Sequence, residues 1–195
     1  VEIAFGLPSD SLNRASDLMW EAFGEKLHRP LGGAERAKRF LVGIADPTTL
    51  VVARDGGDLL GAMVLTDSEH RSQADEWAVA RDVYGLLAAV PRLILVAPLD
   101  TKPPAGCLYV DWIAVAPEAR GRGVGSKLLA FAEDVAAQRD LPALALDVVD
   151  SNPRAQALYA RLGFEVESTR SVWPLSWLYQ ITSYTRMIKK LPAVV

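Results

Sequence analysis

Leu108 to Phe164 reads LYVDWIAVAPEARGRGVGSKLLAFAEDVAAQRDLPALALDVVDSNPRAQALYARLGF, and this stretch decides the fold of the 195-residue chain. The apolar run Cys107 to Val115 predicts a strand that Pro117 ends. A glycine-rich turn follows. Val124, Leu128, Phe131 and Val135 then recur at i, i+4, i+7 and i+11, one apolar stripe of a helix closed by Asp140-Leu141-Pro142. Ala143 to Val149 reads as a buried strand. Asn152 is a good N-cap and Pro153 a good first helical residue, so a short helix runs to Leu162 and stops at Gly163.

The turn Arg120-Gly121-Arg122-Gly123-Val124-Gly125-Ser126 sits between strand and helix. Backbone N–H groups at a helix start have no intrahelical partner and converge on an anion, which glycines allow to approach closely. The helix dipole and the Arg120 and Arg122 side chains add positive potential, so a diphosphate is a natural guest. The plain alternative is a solvated glycine turn, since short glycine patterns recur without function. A Walker-type loop needs Gly-Lys-Ser/Thr, whereas Ser126 precedes Lys127 here. A dinucleotide fold places its glycines after the first strand, but this turn lies past mid-chain and Ser126 stands where the third glycine belongs.

Upstream, Val1 to Phe5 predicts a strand and Pro8-Ser9-Asp10 a helix start. Leu12, Ala15, Met19, Ala22 and Phe23 form its stripe, which Gly24 and the segment Leu27 to Gly33 are expected to break before a second helix carrying Ala37, Phe40 and Leu41. Leu50 to Ala53 and Leu59 to Leu65 predict an antiparallel pair about Gly56-Gly57. Trp77, Ala80, Val83, Tyr84 and Leu87 suggest an inserted helical segment over 67–105, punctuated by Pro91, Pro98, Pro103 and Pro104. Phe164 to Ser168 and Ile181 to Ile188 supply closing strands. With no repeat or linker, residues 1–195 are expected to form a single domain.

Half the residues are hydrophobic and under a quarter are charged, the balance of a globular protein. A net charge of -3 argues against nucleic acid or an anionic membrane as partner, so any anion site is local. One cysteine, Cys107, excludes an internal disulfide, and with only His28 and His70 beside it no metal site is expected. Val1 to Pro8 lacks the features of a secretory signal, and no apolar run is long enough to span a bilayer. A cytoplasmic setting is the expectation.

Arg120, Gly123 and Gly125 resemble the R-x-x-G-x-G signature of the GCN5-related N-acetyltransferase (GNAT) family. Two flanking blocks agree: Leu108 to Pro117 looks like that family's fourth strand, and Asn152 through Leu158-Tyr159 to Leu162-Gly163-Phe164 like its fifth-strand exit and following helix. The resemblance implies an α/β (α+β) acyl-CoA N-acyltransferase fold. Its mixed, mostly antiparallel sheet has about seven strands, with the fourth and fifth splayed and helices on its flanks. It implies acetyl-CoA as cosubstrate, with the pyrophosphate on Arg120, Gly121, Arg122, Gly123, Val124, Gly125 and Ser126. The pantetheine arm would lie beside Ile113, Ala114 and Val115, whose backbone N–H groups meet the acyl carbonyl, and Asn152 would contact the coenzyme.

Acyl transfer from a thioester needs a neutral amine, a donor to the developing oxyanion and an acid for the leaving thiolate. Tyr159 matches the family tyrosine placed to protonate the coenzyme A sulfur; packing under the sheet is its other reading. Tyr109 and Asp111 occupy fourth-strand positions where relatives carry a base, and Asp111 is preferred, on the expectation of a half-buried carboxylate. Pairing with an arginine, or an ordered water in its place, stays open. Cys107 reads as packing, so direct transfer is expected. The acceptor is a small-molecule or peptide amine. Trp20, Phe23, Lys26 and His28, with Trp77, Tyr84, Trp173, Trp177 and Tyr179, suggest an aromatic acceptor wall, while core or a homodimer contact is the plainer reading of any one of the aromatics. The activity expected is acetyl-CoA-dependent N-acetyl transfer to a primary amine, the competing reading a non-catalytic acyl-CoA sensor.

Overall fold

The chain alternates strands and helices as β1 (Glu2–Phe5), α1 (Leu12–Leu31), α2 (Ala34–Gly43), β2 (Leu50–Asp55), β3 (Asp58–Thr66), α3 (Glu76–Tyr84), α4 (Leu86–Val96) and β4 (Cys107–Val115), then α5 (Val124–Gln138), β5 (Ala143–Val149), α6 (Pro153–Arg161), β6 (Glu165–Ser171), α7 (Ser176–Tyr179) and β7 (Ser183–Lys190). This computed structural model describes residues 1–6, 12–44, 46, 48–68, 76–96, 103–174 and 176–192, with side chains for all of these except 12–13, 25–30, 94–96 and 179. The expectations about the Pro8-Ser9-Asp10 helix start, His70 and Pro98, and about the Leu12, Lys26, His28 and Tyr179 side chains, fall outside that set, as do residues 69–75 and 97–102 of the expected insertion.

The described strands form one sheet of seven, the number expected, in the order β1-β2-β3-β4-β5-β7-β6. All neighbours are antiparallel except β4 and β5. That parallel pair is short: Cys107 to Val110 face Ala143 to Leu146, and pairing stops there. Beyond it β4 stays with β3 and β5 with β7, so the sheet forks. One residue past the fork, Val64 pairs with Trp112 and Leu65 with Val110, which leaves Asp111 as the extra residue of a β-bulge.

The α5 stripe is buried at Val124, Leu128 and Val135, while Phe131 is only partly covered; Leu129, Ala132 and Ala136 complete the buried face. These side chains pack with Leu108, Val110, Leu144 and Leu146 of the two strands flanking the fork. Each such leucine contributes roughly 1.5–3 kcal/mol, which fixes the strands on both sides of the gap. A satellite cluster of Leu31, Ala37, Phe40, Ala80 and Ala89 ties α1 to α4 together.

Three helical expectations are corrected. Gly24 does not break α1, which runs on to Leu31. A Cβ at 24 would fall 2.7 Å from the Trp20 indole, so glycine gives that ring its place. Among its described residues α1 buries Ala15, Ser16, Leu18, Gly24 and Leu31, while Ala22 is exposed. Pro91 lies inside α4 and does not end it; the carbonyl it leaves without a bond is that of Leu87, 93% exposed and open to water. Leu87 leaves the predicted stripe because Gly85, at φ 80°, ends α3 and starts a new helix direction. No helix among the described residues is long and apolar enough to cross a membrane.

Candidate active site

The edge of β4 past the fork is the first element of the site. Ala116 N–H donates to the Leu60 carbonyl at 2.9 Å. Ladder groups alternate sides, so Ala114 and Trp112 bond toward β3, while Ile113 and Val115 turn N–H and C=O toward the gap that β5 has left. Of the three residues expected there, Ala114 thus spends its backbone groups on the sheet. The Val115 carbonyl accepts from Arg120 Nε at 3.2 Å across the open side.

The turn after β4 is the second element. A 3-10 turn at Pro117–Ala119 leads to Gly121 at φ 77° and to Gly123, the left-handed N-cap of α5 at φ 78°. The first helical bond runs from Lys127 N–H to the Gly123 carbonyl at 3.0 Å. The N–H groups of Gly121, Gly123, Val124, Gly125 and Ser126 therefore have no acceptor among the described residues. A Cβ at 121 or 123 would meet nothing within 4 Å, so the space above the turn is open. Arg120 and Arg122 are exposed beside it, and Arg122 comes only to 3.9 Å of Asp55. Free donors, two cations and room fit a diphosphate. At Gly125 the α5 start, the β4 end and α6 converge, since a Cβ there would lie 3.7 Å from Val115 Cγ2 and 3.9 Å from Leu158 Cδ2.

Tyr159 follows Leu158 on α6, 7% exposed, with its ring 5.9 Å from Phe164. Burial pushes its hydroxyl up to about 12, so it carries its proton at neutral pH. Among the described residues that hydroxyl makes no hydrogen bond. Asn152 caps α6 as predicted, Oδ1 accepting from Ala155 N–H at 3.2 Å, and the residue is exposed. Cys107 is buried, and burial first, then Glu167, pushes its thiol up, away from a nucleophilic thiolate.

Asp111 falls among the exposed residues of β4. It contacts other protein groups and lines a cavity of about 200 Å³ with Trp112, on the face covered by α1 and α2. Tyr109 is taken up elsewhere: its hydroxyl donates to Asp147 Oδ2 at 2.9 Å. Arg186 grips the same carboxylate, Nε to Oδ1 at 2.9 Å and Nη2 to Oδ2 at 3.1 Å, and lies over the Tyr109 ring. The hydrogen bonds from Arg186 to Asp147 hold the guanidinium well above its usual range. Asp147 is the first β5 residue past the fork, so this clasp sits at its root. Sequence reasoning missed it, although one carboxylate in the apolar run ALALDVV was a signal.

The expected aromatic wall is dispersed. Tyr84 packs on Phe40 at 5.9 Å under the Arg92 guanidinium, while Trp173 and Trp177 are 80% and 67% exposed. Of the aromatics, Trp112 alone is among the described residues lining the cavity.

A family model described as Acetyltransferase (GNAT) family matches residues 12–164. A mycothiol acetyltransferase of Acidimicrobium ferrooxidans is 47% identical over 72 residues, 36% of this chain and 23% of that protein. A thialysine N-epsilon-acetyltransferase of Bos taurus is 38% identical over 66 residues, 34% of this chain and 39% of that protein. The chain thus spans under two fifths of the length of the curated relatives it matches. A Staphylococcus aureus N-acetyltransferase structure superposes with TM-score 0.68 at 18% identity, over 96% of this chain and all of that one, and shares the fold.

Proposed function

Because this chain belongs to the GNAT family of acetyltransferases, whose members use acetyl-CoA, we propose that it moves an acetyl group directly from acetyl-CoA to a primary amine. The observation that carries the reading is the set of acceptor-free N–H groups of Gly121 and of Gly123 to Ser126, lying just past a strand edge whose Ile113 and Val115 also face an open gap. A diphosphate would be held by the first set and by Arg120 and Arg122, and an extended amide arm by the second, as an added strand is.

Acetyl-CoA supplies an activated carbonyl carbon; the chain supplies placement and proton control. Backbone N–H groups of the open edge polarise the thioester oxygen and stabilise the charge that develops on it. The amine nitrogen forms the new C–N bond as the C–S bond breaks. Tyr159 gives its proton to the departing sulfur, and its high proton affinity keeps it loaded before each turnover. The proton lost by the amine passes to Asp111 or to water beside it, and solvent restores the tyrosine.

Purified protein should be stabilised against heat by acetyl-CoA and should release coenzyme A with at least one small amine. Stabilisation with no release across a broad panel would overturn transfer and leave an acyl-CoA sensor. Absence of both would remove the coenzyme reading as well.

A further inference from the structure

Neighbouring side chains of a regular strand point to opposite faces, yet Asp111 and Trp112 line one cavity. The bulge is the cause: Asp111 shares its face with Tyr109, which pairs with the cavity-lining Thr66, and the extra residue brings Trp112, paired with Val64, round to that same face. Met19, Leu41, Leu50, Val64 and Trp112 give the cavity apolar walls, and Asp46, Glu76 and Asp111 give it carboxylates. No Lys, Arg or His is among its described lining residues.

The carboxylates are spread out. Asp46 is fixed at the start of β2: its carbonyl accepts from Leu50 N–H at 3.1 Å and its Oδ1 from Thr48 N–H at 2.8 Å. Leu50 pairs with Val64 and Val64 with Trp112, so β2 and β4 lie about 10 Å apart across the sheet, with Asp46 in the turn before β2 and Asp111 on β4. No group of three His, Cys, Asp or Glu among the described residues could hold a metal ion, which agrees with that spread. Thr66 adds an independent sign of a polar guest. It is 5% exposed, shares the cavity face with Val64 two residues before it, and its Oγ1 has no hydrogen-bond partner. Leaving a buried hydroxyl unmatched costs about 1–3 kcal/mol, which a bound donor would recover.

A volume of about 200 Å³ holds roughly seven water-sized groups at ~30 Å³ each, a short chain and not a folded segment. We propose that this cavity selects the acceptor, and that the acceptor is a small aliphatic diamine of about five carbons. This rests on the transferase reading above. The reacting amine lies by Asp111, the methylenes run along Met19, Leu41 and Trp112, and the second ammonium donates toward Asp46 and Glu76, with Thr66 Oγ1 as a further acceptor. The three carboxylates keep their own protein contacts, and the ligand adds to them.

Calorimetry on the full chain with coenzyme A present tests it, comparing 1,5-diaminopentane with n-pentylamine. The diamine should bind about tenfold or more tightly, the equivalent of one charge-assisted hydrogen bond. Asp46→Asn and Thr66→Val should each remove most of that ratio while the KM for acetyl-CoA stays put; Thr66→Val keeps the shape if Asp46→Asn fails to fold. Equal binding of the two amines, or a ratio that neither substitution moves, overturns the diamine assignment. Coenzyme A release separates the failures: turnover without preference sinks only the diamine, whereas diamine binding without turnover on any amine sinks the transferase and spares the cavity.

Discussion

The two sides of β4 are opposite in charge. Toward β5 the strand and its turn present unmatched N–H groups with Arg120 and Arg122, and toward α1 and α2 they present Asp111 beside Asp46 and Glu76. The net charge of -3 conceals this division. Its origin is one short stretch of strand: Val110 is the last residue paired with β5 and Asp111 is the bulge, so consecutive residues open the gap on one side and set a carboxylate and Trp112 together on the other. A thioester with a diphosphate and a cationic amine would thus be sorted by sign and meet at one strand.

The largest effect is expected where the fork is closed. Arg186 and Asp147 are both nearly buried, so Arg186→Met strips the carboxylate of its charge partner and should lower stability by about 3–5 kcal/mol in denaturant unfolding. A loss under ~1 kcal/mol would mean that strand pairing alone holds the fork. Tyr109→Phe, which removes one neutral donor, should cost about 1 kcal/mol.

Next comes Tyr159→Phe, which should lower kcat about 100-fold and leave acetyl-CoA affinity unchanged. Both falling together would make Tyr159 a packing residue. Its proton also links to stability. The folded hydroxyl, at about 12, lies above its ordinary 10.0, so the folded state keeps a proton that the unfolded chain loses. That contribution is full below pH 10 and disappears as pH rises through 12. Wild type should lose stability relative to Tyr159→Phe over that window, by on the order of 2–3 kcal/mol.

Gly123→Ala sharpens the division itself. A side chain at φ 78° costs about 1–2 kcal/mol, and its Cβ enters the open space above the turn. Acetyl-CoA should bind about tenfold more weakly while diamine affinity holds. Equal weakening of both would show that the two sides are not independent.

The diphosphate side was legible because several signals fall on the same residues. Pro117, Asn152 and Pro153 punctuate the apolar runs at their ends, and both strands begin and stop where those runs do. The amine side was not. A bulge leaves no mark in composition, because Asp111 is an extra residue only relative to the register of β3. Gly24 and Pro91 read as breaks, yet each helix continues: a helical glycine costs about 1 kcal/mol against alanine, which tertiary packing outweighs. The aromatic residues pointed to a wall that the fold scatters, while Trp112, inside the strand, was read only as sheet.

Asn152 is the smallest and most discriminating case, because two roles meet in one side chain. Its Oδ1 caps α6, and its amide hydrogens remain for a ligand beside the turn. Asn152→Ala should lose about 1 kcal/mol of stability, while Asn152→Ser keeps a capping oxygen and should restore most of it. Serine has no amide nitrogen in that place. If Asn152→Ser is as stable as wild type and binds acetyl-CoA equally well, Asn152 acts only through the helix. If stability returns and affinity does not, the amide belongs to the anion side of β4, and the coenzyme site extends from the α5 turn to the start of α6.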